Sequence, residues 1–143
     1  MSACLEAGLD QLIAVLRTDP RILGVFLFGS HSEGVAGANS DVDVGILFTA
    51  EAAPVIGLHE VTQLEADLVM ATGLPVDVVN LNSANPLLQH RAVSGISLFE
   101  RDSIAVSDFI EWVLNARRAA AYRRNRRLSQ LVGSEVHDRP GGA

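Results

Sequence analysis

Residues 29–48 read GSHSEGVAGANSDVDVGILF: a glycine-serine pair, ten residues of mostly small or polar type, then Asp41-Val42-Asp43 opening an apolar run. Side chains alternate along a strand, so Asp41 and Asp43 are expected on one face and Val42 and Val44 on the other. The ten residues between, with two glycines, read as a tight loop or short helix with exposed backbone amides. A glycine lets the backbone approach a phosphate closely, and neighbouring amides with a serine hydroxyl bind its oxygens. Gly29 and Ser30 are therefore candidate nucleotide-binding residues. Two carboxylates at i and i+2 repel each other, which makes them a ready site for a hard cation such as Mg2+. Mg2+ keeps several waters and shares its coordination between one or two carboxylates and substrate phosphates, a requirement that suits a nucleotide.

The flanking sequence supplies a frame for this stretch. Upstream, ILGVFLF is short, continuous and apolar, as expected of a buried strand that stops at Gly29. Before it, Leu5, Leu9, Leu12, Ile13 and Leu16 recur at helical spacing and predict a helix ending ahead of Pro20. Downstream, Leu58, Val61, Leu64, Leu68 and Val69 predict a second helix closed by Gly73. The run LPVDVVNLN then reads as a strand carrying Asp77 among valines, where an acid costs free energy unless paired or metal-bound. This makes Asp77 a third candidate, able to bind metal or to accept a proton from a hydroxyl.

Asn85 and Pro86 open a shorter helix, GISLFERD reads as an edge strand with a turn, and a long helix is expected from Ser107 or Asp108. Its first half should be buried through Phe109, Trp112, Val113, Ala116 and Ala120, and its second half polar. The expected fold class is α/β, or α+β: a small mixed sheet flanked by helices, with a long C-terminal helix. One domain over residues 1–132 and a disordered tail over 133–143 are expected.

Composition narrows the function classes. The chain has 143 residues, 48% of them hydrophobic, enough for one ordinary core. No run approaches the roughly 18–20 apolar residues of a membrane span, and no signal core follows Met1, so a soluble cytoplasmic protein is expected. A single cysteine, Cys4, excludes an intrachain disulfide, and His59, His90 and His137 lack metal-ligand spacing. The net charge of -6 argues against broad nucleic-acid affinity. All eleven basic residues are arginine, six of them between Arg117 and Arg127, a cluster better suited to an acidic partner protein than to RNA.

The stretch quoted first resembles the signature of the DNA polymerase β-type nucleotidyltransferase superfamily: Gly-Ser, ten residues, then Asp-x-Asp. With each residue type at roughly one in fifteen, these four positions would match by chance in only a few chains per thousand. In that superfamily a later aspartate on a neighbouring strand is the third catalytic carboxylate, and Asp77 in LPVDVVNL occupies the corresponding place. The resemblance implies Asp41, Asp43 and Asp77 as catalytic and metal-binding residues, Gly29 and Ser30 as nucleotide-binding residues, Mg2+ as cofactor and ATP as substrate. The small size and the segment PLLQHRAVSGISLFERD are similar to the minimal nucleotidyltransferases (MNT) encoded as antitoxins beside HEPN-domain toxins. For such a protein the family implies transfer of AMP from ATP to a tyrosine hydroxyl of the cognate HEPN-family toxin, which neutralises it.

One departure bears on chemistry. Many members carry an arginine just before the glycine that follows the Gly-Ser pair, whereas this chain has Glu33 before Gly34. An acid there repels phosphate unless it turns outward, so a substitute cation must come from Arg91, Arg101 or the C-terminal arginines. The alternative reading is an antitoxin that keeps the fold and acts by direct binding without turnover. A third, transfer to a small molecule such as an aminoglycoside, calls for extra structure around the acceptor, and only a long helix and a tail follow the last strand. Base preference and oligomeric state, alone or with the toxin, are not written in the sequence.

Overall fold

The computed structural model describes residues 3–32, 34 and 41–131. In chain order the elements are α1 (Ala3–Arg17), β1 (Ile22–Phe28), a 3-10 turn (Gly29–His31), β2 (Val42–Phe48) and a second 3-10 turn (Ala53–Val55). They continue as α2 (Leu58–Thr72), β3 (Val76–Asn80), α3 (Pro86–Val93), β4 (Ile96–Glu100) and α4 (Ser103–Leu131). The four strands form one mixed sheet in the order β3-β2-β1-β4. β1 runs antiparallel to β2 and β4, while β2 and β3 are parallel, a pairing that requires the crossover supplied by α2.

Alternation along the strands divides the apolar residues between two cores. Val25, Leu27, Val42, Val44 and Ile46 pack with leucines of α1 and α2, joined by Val76 and Val78 of β3. Phe26, Phe28 and Leu47 face the other way, into a cluster with Ala92 of α3 and Val106 of α4. Asp43 and Asp77, each flanked by valines of the first core, therefore belong to the α3/α4 face of the sheet. The predicted fold class, a small mixed sheet flanked by helices with a long C-terminal helix, is what the chain forms.

Two contacts position α3, one with the residue that follows β3 and one with the end of β1. Gln89 is buried within the helix face, and its Nε2 donates to the Leu81 carbonyl at 2.9 Å, so its burial leaves this amide satisfied. Gly95, just past α3, lies so close to the backbone of Leu27 and Phe28 that a Cβ would collide with the Leu27 carbonyl. The turn into β4 thereby brings the last turn of α3 beside Gly29.

Some predicted details differ. In α2 only Leu64 and Leu68 are buried, whereas Leu58 is 82% exposed and Val69 is on the surface, because α2 covers the edge of the sheet and presents a narrow stripe. The long helix starts at Ser103, about a turn before the expected Ser107 or Asp108. Asp102 supplies the reason: its Oδ1 accepts from the Ala105 amide at 3.1 Å, an N-cap in the turn after β4. Among the described side chains of α4 Val106 and Val113 are buried, while Trp112, stacked on Phe109, is 58% exposed and Ala120 is also exposed. Arg117 to Arg127 lie on an exposed stretch of that helix. The expected tail, 133–143, falls outside the described residues.

The contrast between two leucines checks this packing. Leu12 is fully buried, so Leu12→Ala should destabilise the chain by about 2–5 kcal/mol in denaturant unfolding. Leu58→Ala, despite lying on the predicted apolar stripe, should change stability by less than about 0.5 kcal/mol.

Candidate functional site

The site is built at the ends of three neighbouring strands. Phe28, the last residue of β1, pairs with Asp43 of β2, and Asp43 pairs in parallel register with Asp77 of β3. Gly29 follows Phe28 with a φ of 75°, in the left-handed region that favours glycine. A Cβ at that position would also run into a carboxylate oxygen of Asp43. Chain reversal and the closeness of Asp43 thus both require the absence of a side chain. Ser32 closes the turn, donating to the Gly29 carbonyl through its amide at 3.2 Å and its Oγ at 2.9 Å.

Asp41 stands one residue ahead of β2 and is exposed, Asp43 is half-buried, and Asp77 is exposed on the edge strand rather than enclosed by valines. Ser30 sits in the middle of the turn, partly exposed. Burial pushes the Asp43 carboxyl above the ordinary range and the charge of Asp41 adds to the shift, opposed by Arg91 and His31. Partial desolvation raises Asp77 despite its exposure, with further contributions from the charges of Glu65 and Asp43, a hydrogen bond with Glu65, and the charge of Asp41.

Glu65 was not anticipated from the sequence. It lies on α2, and its Oε2 accepts from the Val78 amide at 2.8 Å, closing an edge N–H of β3 next to Asp77. Only the helical spacing around Leu64 and Leu68 hinted that it faces the sheet, and no local pattern ties it to Asp77.

The cation question also finds an answer in tertiary structure. Arg101 is committed elsewhere: its Nε donates to the Ile22 carbonyl at 2.8 Å, and its Nη2 donates to the carbonyls of Arg17 at 2.6 Å and Asp19 at 3.1 Å. Arg91, in the last turn of α3, instead lines a cleft of about 340 Å³ whose walls include Gly29, Ser32, His90 and Ser94. None of the α4 arginines lines it. Glu33, the departure seen in sequence, lies outside the described residues.

Among the described residues, no three His, Cys, Asp or Glu side chains are gathered into a ready-made metal cage. The donor set nevertheless fits Mg2+, which needs only one or two carboxylate oxygens and completes its shell with phosphate and water. Burial first, and then the charge of Asp41, raise the Asp43 carboxyl, and a bound cation would offset both. No helix among the described residues is long and apolar enough to cross a membrane.

Comparison with known proteins adds a lineage to this geometry. Residues 10–104 match the family model described as polymerase beta, nucleotidyltransferase. The protein adenylyltransferase MntA of Shewanella oneidensis is 34% identical over 86 residues, and the match spans 59% of this chain and 59% of that relative's length. A chain of a toxin-antitoxin crystal structure with AMP-PNP superposes with a TM-score of 0.71 at 23% identity, over 87% of this chain and 98% of that one. A chain from a complex of tri-AMPylated Shewanella oneidensis HEPN toxin with MNT antitoxin gives 0.67 at 20% identity, over 90% and 98%. At these identities the two structures speak for the fold alone.

Charge crowding gives a stability test with a defined sign. Native Asp43 holds its proton more tightly than the unfolded chain does, so stability falls as pH rises from the ordinary value of 3.8 through the raised native one. Asp43→Asn should therefore raise the thermal unfolding midpoint at neutral pH, and the gain should shrink as pH is lowered toward 3.8. An unchanged or lowered midpoint at neutral pH would contradict this account.

Proposed function

The chain belongs to the polymerase beta nucleotidyltransferase family, and from that premise we propose that it is an antitoxin that transfers AMP from ATP to a tyrosine hydroxyl of a cognate HEPN-family toxin. The observation that carries this reading is the packing of the Gly29 turn against Asp43, with Asp77 as its neighbour in the sheet. The relative named as a protein adenylyltransferase and the neighbour named as an AMPylated HEPN toxin with its antitoxin support the choice of donor and acceptor.

In this reading Gly29 and Ser30 bind the phosphates through backbone amides and the serine hydroxyl. Asp41 and Asp43 would hold Mg2+, which would supply charge neutralisation to the triphosphate. The tyrosine Oη attacks the α-phosphorus, a new P–O bond forms, and the bond to the leaving pyrophosphate breaks. Asp77 takes the hydroxyl proton. Its raised proton affinity makes it a better base than an ordinary aspartate, since proton acceptance improves as the pKa approaches the working pH. The supply of ATP sets this chemistry in the cytoplasm.

Incubation with α-labelled ATP, Mg2+ and the co-encoded toxin should label the toxin on tyrosine and suppress its toxicity. Asp41→Ala/Asp43→Ala should cut labelling by at least about a hundredfold. Neutralisation by a folded variant lacking all three aspartates would instead establish direct binding as the mode of action.

A further inference from the structure

We infer that the cleft between the Gly29 turn and the C-terminal end of α3 receives the β- and γ-phosphates of the nucleotide, with Arg91 as their counter-charge; this rests on the nucleotidyltransferase reading above. The cleft has Gly29 and Ser32 on one side and His90, Arg91 and Ser94 on the other. Its volume of about 340 Å³ is at the lower end of the roughly 300–1,000 Å³ typical of small-molecule sites. That suits a polyphosphate tail with the nucleoside outside it.

The other described arginines outside α4 already have partners. Arg21 is paired with Asp19 at 2.6 Å, Arg17 stacks on the Phe99 ring, and Arg101 is bound to three carbonyls. The Arg91 side chain has no hydrogen bond or ion pair among the described residues, yet it lines the cleft opposite the Gly29 turn. A guanidinium so placed is free to form a forked pair of hydrogen bonds with phosphate oxygens.

A helix C-terminus ordinarily presents bare carbonyls, which would repel an anion. Here the local chain covers two of them. Ser94 donates to the His90 carbonyl through its amide at 3.1 Å and its Oγ at 2.8 Å, and the Gly95 amide donates to the Ala92 carbonyl at 3.0 Å. The Gly29 carbonyl on the opposite wall is likewise taken up by Ser32. Three carbonyls around the cleft, those of His90, Ala92 and Gly29, are thus already engaged, while the cation remains available. This arrangement supplies from α3 the positive charge that Glu33 does not supply from the loop.

Calorimetric titration of the full chain with ATP and, separately, AMP, both with Mg2+, tests the assignment. Arg91→Ala should weaken ATP binding by about 10- to 100-fold, the usual loss for a charge-assisted hydrogen-bonded contact, and leave AMP binding and the unfolding midpoint unchanged. Arg91→Lys should fall between the two, keeping the charge without the fork. If wild type binds ATP and Arg91→Ala binds it equally well, the cleft assignment is overturned while the nucleotidyltransferase reading survives. Equal weakening of ATP and AMP with a lowered midpoint would overturn it too, by revealing a merely structural arginine. Failure of wild type to bind ATP would remove the underlying reading itself.

Discussion

The site depends on a steric constraint: the backbone after β1 turns through Gly29 where there is no room for a Cβ, because the Asp43 carboxylate occupies that space. Register enforces the closeness. Phe28 is paired with Asp43, so the residue following Phe28 must turn directly over the carboxylate. The same register sets Asp77 beside Asp43 on the parallel strand, and alternation turns both toward the face covered by α3 and α4. One pairing scheme therefore fixes the turn, two carboxylates and the side of the sheet on which substrate must approach.

Bringing acids together has an electrostatic cost that the fold leaves partly uncompensated. Asp43 and Asp77 both hold protons more tightly than ordinary aspartates, through burial first and neighbouring acids second. A structure selected only for stability would relieve such crowding with a paired cation. Here Arg91 and His31 act on Asp43 through charge, but Arg91 stops short of an ion pair. The residual repulsion is favourable for a site that must attract a divalent cation together with a polyanion, since those ligands supply the missing charges of both signs. Stability and binding are opposed at these positions, and the arrangement favours binding.

The sequence made the local parts legible. Gly29-Ser30 announced a turn and Asp41-x-Asp43 an acidic strand through residue type and spacing, and the continuous apolar run of β1 read as the buried strand it is. Properties set by distant neighbours were not legible. Leu58 fits a helical stripe, yet α2 covers only the sheet edge and leaves it in solvent. Trp112 looked like a core residue of α4, but the core on that face is filled by Val106 and the phenylalanines of β1, with Phe109 and Ile110 packed against it. Arg91 and Arg101 were equivalent candidates in sequence. What separates them is the approach of Gly95 to β1, which brings α3 to the site, and the three carbonyls that capture Arg101.

Glu65 shows how a device for folding can also tune chemistry. β3 is an edge strand, and an edge amide without a partner invites pairing with another chain. Glu65 caps the Val78 amide and so blunts this edge with a negative charge. The residue before Val78 is Asp77, so the same carboxylate acts at close range on the third acid of the site, raising its affinity for a proton through charge and a hydrogen bond. A neutral cap such as glutamine would still satisfy the amide but would remove most of this charge effect. Sheet edge and candidate base are therefore linked through one side chain, and the parallel β2-β3 pairing is what brings that link to the centre of the site.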